Sequence, residues 1–256
     1  MTRPRLLRLG ITSIALCIGA AGLGSVGVAA PASATSYDVA GLWLFNEGSG
    51  QTAHDLSFSG NRGQLGSTPQ ADADDPAWLQ LPRLLLRRAA LRFDGTDYVK
   101  VPNSPSLEPD GVTVVARVRA ASSPGAFRYV VSKGALGCEN ASYGLYTDSA
   151  EALRFYVSDG RDVTLSPAAA ADVWDGRWHT VVGSYNGSGV SLWVDGAKVG
   201  TTSADVTIGY GLPQDDAFYI GDYGGPCAAT LGFVGDIDGV ALIGSSSGSG
   251  AGALVG

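Results

Sequence analysis

Short runs of alternating or β-branched residues recur along this chain and end at Gly, Asp, Asn or Pro, while helical periodicity is almost absent. Asn-Gly in YNGSG (185–189) and Asp-Gly in VDGAK (194–198) supply the positive φ angles that tight hairpin turns need. Many strands at short spacing without crossover helices predict an all-β fold, an antiparallel sandwich of two sheets. The runs that predict strands are GLWLF, ALRFDG, DYVKV, GVTVVARVRA, RYVVSK, YGLYT, LRFYVSD, WHTVVGSYN, VSLWVDG, DAFYIGD and FVGDIDGVAL.

Two segments depart from this strand pattern. Residues 67–90 begin acidic and end basic and leucine-rich, and we interpret them as a surface loop with one helical turn. Residues 244–256 are rich in Gly and Ser, so we expect a flexible tail there. The β-sandwich is therefore expected to occupy residues 35–243.

The first 34 residues have the parts of a secretory signal peptide. Arg3, Arg5 and Arg8 form a basic start, an apolar stretch follows at 11–28, and PASA ends in a small-residue cleavage site after Ala34. A retained membrane anchor is the alternative, but the stretch is rich in glycine and no charged stop-transfer segment follows it. We expect a secreted, extracellular protein without a membrane span after signal cleavage.

The charge and the cysteines of the mature chain narrow the class of partner. Removing the three arginines of the signal from the 17 basic residues leaves 14 against 24 acidic residues, a net charge of −10. This balance argues against a nucleic-acid partner, which needs basic surface.

Cys138 and Cys227 are the two cysteines that remain, and in an oxidising compartment they predict one disulfide bond, with a pair of free reactive thiols as the alternative.

Four blocks of the sequence together resemble a known family. GLWLFNEGSGQTAHDLSFSGNRGQLG, ALRFDGTDYVKVPNSPSLEPDGVTVVARVRA, WDGRWHTVVGSYNGSGVSLWVDGAKVG and FVGDIDGV follow one another in the order of the laminin-G-like domain of the concanavalin A-like lectin/glucanase superfamily. The resemblance covers about residues 40–243 and implies a two-sheet jelly roll. It also implies a carbohydrate-binding or adhesive module, whose partner is a polysaccharide or glycan, or an extracellular protein.

Residues for catalysis are scarce in this chain. Related glucanases place two carboxylates on one strand in the pattern Glu-x-Asp-x-Glu, as acid and nucleophile. None of the four glutamates, Glu47, Glu108, Glu139 and Glu151, has such a partner. His54 and His179 lack the spacing of a zinc motif, and His179 is better explained as a sheet residue than as a base. We therefore expect no enzymatic activity.

Two aspartates interrupt the apolar strand FVGDIDGVAL, and charges are costly to bury unless they are paired or bind a cation. The resemblance implies a structural Ca²⁺ ion, which oxygen ligands hold. The positions that match this calcium site are Asn46, Asp55, Gly60, Asn61 and Asp238, with Asp236 as a neighbour. The alternative is that Asp55 and Asp238 cap turns or accept hydrogen bonds from main-chain amides.

Aromatic side chains on an open face are the residue type that sugar binding favours, because the apolar side of a sugar stacks on them. We predict ligand contacts from Tyr143, Tyr146, Trp193 and Tyr223, and ordinary packing is the alternative for about half of the aromatic candidates. A Cys138–Cys227 bond would join two loops and shape the ligand surface. Two hypotheses remain: a carbohydrate-binding module, and a structural or protein-binding surface domain without sugar affinity.

Overall fold

A computed structural model describes residues 35–81, 89–138, 140–225, 227 and 230–247. The predicted signal peptide, residues 1–34, lies outside these ranges. Within them the chain forms strands and two short 3-10 helices, Pro105–Leu107 and Ala171–Trp174. The strands are β1 (Thr35–Trp43), β2 (Thr52–Ala53), β3 (Gly63–Leu65), β4 (Ala77–Gln80), β5 (Ala89–Asp94), β6 (Val99–Val101), β7 (Gly111–Arg119), β8 (Tyr129–Ala135), β9 (Tyr143–Thr147), β10 (Leu153–Ser158), β11 (Val163–Leu165), β12 (His179–Tyr185), β13 (Gly189–Val194), β14 (Ala197–Ser203), β15 (Asp215–Ile220) and β16 (Val234–Ser247).

The strands form two antiparallel sheets of eight strands each. The first sheet has the order β14-β13-β12-β7-β16-β5-β4, and β1 also pairs with β16. The second sheet has the order β11-β10-β9-β8-β15-β6-β3-β2. The predicted all-β, two-sheet antiparallel sandwich is therefore confirmed, and the arrangement is that of a jelly roll.

The main core lies between the two sheets and follows the alternation of the sequence. In β7, Val112, Val114, Ala116 and Val118 are buried, while the residues between them are half-buried on the opposite face. Successive side chains of a strand point to opposite faces, so one face of β7 packs on the second sheet. The predicted turn at VDGAK is also confirmed, since Asp195 and Gly196 have φ angles of 50° and 78°.

Two predicted segments differ from the structure. Residues 77–80, within the predicted surface loop with a helical turn, form β4 and pair with β5, because a neighbouring strand edge satisfies their main-chain groups. The last strand continues to Ser247 and pairs with β1, so the sandwich ends four residues later than predicted. Gly and Ser suffice there, since strand pairing uses main-chain groups. Residues 248–256 lie outside the described residues.

The centre of the second sheet is buried on both of its faces. All five residues of β9 and all seven of β8 are buried, although only one face of each strand meets the first sheet. The other face carries a second apolar cluster, which includes Tyr129, Tyr146, Tyr156 and Tyr223. This outer cluster positions the candidate site. No helix in the described part of the chain is long and apolar enough to cross a membrane.

Candidate functional site

A groove of about 640 Å³ opens on the outer face of the second sheet. We call it the aromatic groove. Strands β8, β9, β10 and β11 provide its floor and one wall, and the loops that carry the two cysteines provide the other wall. Its lining residues are Phe127, Tyr129, Cys138, Asn140, Tyr146, Tyr156, Val163, Leu165, Cys227 and Leu231.

Three tyrosines on adjacent strands form the floor of the aromatic groove. The Tyr129 and Tyr146 rings stack with centroids 5.2 Å apart, and the Tyr156 ring meets that of Tyr146 edge-on, also at 5.2 Å. Gly144 lies opposite Tyr156 in the β9–β10 ladder, and a Cβ atom at Gly144 would lie 2.7 Å from Cε1 of Tyr156. Because Gly144 has no Cβ atom, the Tyr156 ring of β10 can pack against the main chain of β9.

The disulfide bond Cys138–Cys227 borders the aromatic groove, as the sequence predicted. It joins the β8–β9 loop to the β15–β16 loop, with the two Cα atoms 5.4 Å apart. Tyr223 fixes the same loops from below, because its hydroxyl donates to the carbonyl oxygen of Asn140 at 2.6 Å. These links hold the loop wall of the groove against the sheet.

None of the described residues that line the aromatic groove has a charged side chain. Burial raises the pKa of Tyr129, Tyr146 and Tyr156, so their hydroxyls are neutral at ordinary pH. At the rim, Phe127 is 47% exposed and has a φ angle of 56°. The groove thus combines flat apolar rings with a few neutral polar groups, a composition that suits an uncharged ligand.

The four predicted ligand-binding residues have different positions. Tyr146 lines the aromatic groove, and Tyr223 lies beneath its loops with 1% exposure. Tyr143 is fully buried in the main core, where its hydroxyl donates to the Leu107 carbonyl, so it is a core residue rather than a ligand contact. Trp193 lies on β13 of the first sheet, beside Lys198, so it does not belong to this groove.

Phe127 and Tyr129 were not among the predicted ligand-binding residues, although strand alternation provides a signal for both. They are two residues apart, and Tyr129 opposes Tyr146 across the β8–β9 ladder. Alternation also separates Tyr143 from Tyr146, because residues three apart in a strand point to opposite faces. Only one of these two tyrosines could therefore lie in the groove.

The predicted calcium ligands near the N-terminal strand form a hydrogen-bonded loop. The carboxylate of Asp55 accepts hydrogen bonds from the main-chain N–H groups of Leu42, Ser57 and Asn61 and from the Ser57 hydroxyl, at 2.7–2.9 Å. A carboxylate offers about four acceptor positions, so these donors fill them. Asn46 is exposed beyond β1, and Gly60 has the left-handed φ angle of a turn.

The side chain of Asn61 is also engaged by the protein. Its Nδ2 donates to the Ala40 carbonyl and to the Ser106 hydroxyl, while its Oδ1 accepts from the Ser104 hydroxyl at 2.7 Å. Its main-chain carbonyl accepts from the Trp43 indole. Asn61 therefore joins the first segment to the β6–β7 connection through hydrogen bonds.

Arginines pair with the two aspartates of the last strand. Asp238 is fully buried and accepts from Nη1 of Arg117. It occupies the extra position of a β-bulge in β16, which lets Ile237 and Val240 both face the core. Asp236 is 5% exposed and accepts from both Arg92 and Arg119.

Asp55 and Asp238 both have protein partners in the structure, and the calcium ion stays a prediction. Donors fill the acceptor positions of Asp55, and Asp238 pairs with Arg117. Within the ranges that the structure describes, no group of three or more His, Cys, Asp or Glu side chains could hold a metal ion. The contacts of Asp55 agree with the alternative in which it accepts main-chain hydrogen bonds, whereas Asp238 contacts an arginine side chain.

His179 bridges two carboxylates at the start of β12. Its Nδ1 lies 2.7 Å from Oδ2 of Asp195, and its Nε2 lies 3.0 Å from Oδ1 of Asp175. Burial lowers the pKa of His179, but the hydrogen bonds to Asp175 and Asp195 outweigh this effect and raise it overall. The imidazolium form, which carries N–H on both ring nitrogens, satisfies both contacts.

Comparison with known proteins gives a family match and a fold match. A laminin-G family model, described as the concanavalin A-like lectin/glucanases superfamily, matches residues 93–246, more than half of the chain. Domain 4 of AbnA, a GH43 extracellular arabinanase from Geobacillus stearothermophilus in complex with arabinotriose, is similar with a TM-score of 0.54. Its identity is 11%, over 82% of this chain and 94% of that chain.

A mutant of Trypanosoma rangeli sialidase displaying trans-sialidase activity has a TM-score of 0.52 and 18% identity, over 79% of this chain and 30% of that chain. Both likenesses show the fold. A comparison with curated proteins gives no match. With a family model that covers residues 93–246 and the observed two-sheet sandwich, the chain belongs to the concanavalin A-like lectin/glucanases superfamily.

Proposed function

We propose that this protein is an extracellular, non-catalytic module that binds a neutral glycan in the aromatic groove. The observation that carries the proposal is the floor of three packed tyrosines with Phe127 exposed at its rim. Sugar rings stack their apolar C–H faces on such surfaces, and the neighbouring hydroxyl and amide groups orient them. Asn140 and the Tyr146 hydroxyl are polar groups among the described lining residues, while the Tyr156 hydroxyl already accepts from the main-chain N–H of Ala141.

Three further observations support this function. The chain belongs to a superfamily that includes lectins, and the similar arabinanase domain was solved with arabinotriose. The described residues that line the aromatic groove include no carboxylate, whereas glycoside hydrolysis needs a pair of them. The disulfide bond agrees with export to an oxidising compartment.

The binding test uses the purified protein, an array of neutral oligosaccharides and calorimetry with the ligands that bind, with arabinotriose as the first probe. We expect Phe127→Ala to weaken binding about fivefold, since an exposed aromatic contact contributes on the order of 1 kcal/mol. Trp193→Ala is the matched control, because Trp193 is a half-buried aromatic residue on the other sheet. Equal affinity of wild type and Phe127→Ala would show that the groove is not the binding site.

The alternative is a structural or protein-binding domain without sugar affinity. An exposed apolar patch around β1 favours it: Tyr37, Val39, Leu56 and Phe58 are exposed by 70%, 48%, 58% and 110%. Such clustered apolar surface is typical of protein contacts. If no neutral oligosaccharide on the array binds at millimolar concentration, this alternative replaces the glycan proposal.

A structural calcium ion stays a prediction. Nothing in the proposed glycan contact requires the ion, because the lining of the aromatic groove does not include the predicted calcium ligands. Melting of the protein in millimolar Ca²⁺ and in excess chelator tests the prediction, since a ligand of the native state raises the melting temperature. Equal melting temperatures in the two conditions would contradict it.

A further inference from the structure

A second pocket, of about 420 Å³, lies on the opposite sheet from the aromatic groove. We call it the arginine pocket. Arg92 on β5 and Arg119 on β7 line one side, with Asp236 of β16 between them. The loop after β7, which includes Ala121 and Ser122, lines the other side.

Asp236 fixes both guanidinium groups in place. Arg92 donates to it from Nε and Nη2 at 2.8 and 3.3 Å, and Arg119 donates from the same two nitrogens. Each arginine therefore uses one edge of its planar fork for Asp236. Within the described ranges, no hydrogen bond involves Nη1 of either arginine, so each keeps donors for a further acceptor.

The charge of this cluster favours an anion. Among the described residues, Arg92 and Arg119 share the single carboxylate of Asp236, which leaves one positive charge in excess, and Arg117 pairs with Asp238. The Trp178 ring packs against Arg119 at 4.6 Å and holds it in position. This local excess contrasts with the whole chain, whose net charge is −7.

The surroundings of the arginine pocket leave that excess in place. Gly176 lines the far side of the pocket, next to Asp175, but the Asp175 carboxylate is already paired with Arg177 and His179. The side chain of Arg92 is 56% exposed, so it can meet a ligand from solvent. A guanidinium that is already oriented loses little freedom on binding, which favours recognition of an oxyanion.

We propose that the arginine pocket binds the oxyanion of an acidic sugar unit, with Arg92 and Arg119 donating to it. The same chemistry suits a carboxylate or a sulfate group. The volume of the pocket suits a small ligand, and the Ser122 hydroxyl and the main chain of Gly235 provide further polar groups. This site is separate from the aromatic groove and does not depend on the glycan proposal.

The test is calorimetry of the full chain with a galacturonic acid trimer, a sulfated galactose oligomer and a neutral galactose trimer. We expect an acidic probe to bind more tightly than the neutral one and to lose affinity as salt concentration rises. Arg92→Gln should weaken that binding about tenfold or more, the usual loss for a hydrogen bond to a charged group. The two acidic probes distinguish a carboxylate ligand from a sulfate.

Arg62→Gln is the matched control, since Arg62 is exposed and the charge change is identical. Ala121→Trp should also reduce binding, because it fills the pocket and leaves both arginines unchanged. Phe127→Ala should not affect the acidic probes. Thermal melting checks that each variant folds. The proposal is overturned if neither acidic probe binds, or if Arg92→Gln and Arg62→Gln cause equal losses.

Discussion

Replacing Asp55 by Ala separates the hydrogen-bonding role of this carboxylate from a calcium-binding one. The carboxylate accepts three main-chain N–H groups and one hydroxyl, and these contacts attach the loop after β2 to β1. Alanine removes every acceptor. The main-chain donors of Leu42 and Asn61, which are partly shielded from solvent, then lose their acceptor.

The expected loss of stability follows from these two donors. A hydrogen bond to a charged group contributes about 1.5–3 kcal/mol, and leaving a buried partner unsatisfied costs a similar amount. Ser57 is half-buried, so water can replace part of its contacts to the carboxylate. The expected change is therefore about 3 kcal/mol, which for a domain of this size lowers the melting temperature by roughly 6–12 °C.

The assay is thermal and urea unfolding of wild type and Asp55→Ala, each in millimolar Ca²⁺ and in excess chelator. The hydrogen-bonding role predicts the same loss in both conditions. Asp72→Ala is the control, because Asp72 is an exposed acid whose loss should cost about 0.5 kcal/mol or less. If Asp55→Ala equals wild type in chelator and falls below it only in Ca²⁺, the hydrogen-bond reasoning is wrong and the carboxylate binds the metal.

Three further perturbations have defined outcomes. Gly144→Ala places a Cβ atom 2.7 Å from the Tyr156 ring, so we expect urea unfolding to show a loss of about 1–3 kcal/mol and glycan binding to weaken. The pKa of His179 is raised in the folded state, so its contribution to stability is complete below about pH 6.5 and is lost as the pH rises through the folded-state pKa. Melting temperatures measured across that pH range should show this decline. The variant His179→Gln should not show it. Replacing Cys138 and Cys227 by Ser should cost roughly 2–4 kcal/mol in urea unfolding and weaken glycan binding, and unchanged binding would show that the loop wall does not need the bond.

Much of the fold could be predicted from local sequence, because its signals are local. The alternation of β7 identifies which of its faces is buried, and Asp-Gly at 195–196 specifies a hairpin turn. Short strands without apolar alternation were missed. The strand β4 has no buried face of its own, and the end of β16 is Gly and Ser, so both become strands only because a neighbouring strand edge is present.

The candidate site was predicted less completely, because aromatic residues serve both packing and binding. Tyr143 and Tyr146 belong to one short strand, yet one lies in the main core and the other lines the aromatic groove. Composition does not distinguish them. Because they are three residues apart in one strand, however, their side chains point to opposite faces of the sheet. Which of the two faces the groove depends on the position of the other sheet.

The sequence by itself determined the two-sheet β-sandwich and the pairing of Cys138 with Cys227, since strand period and turn residues act locally and only two cysteines follow the predicted signal peptide. The partners of Asp236 and Asp238 were decided only by the tertiary structure. Arg119 and Arg117 are 117 and 121 positions away in the chain, and they meet these aspartates because β7 lies beside β16. A carboxylate in a strand requires a counter-charge wherever it is buried, but only strand order and register determine which residue provides it.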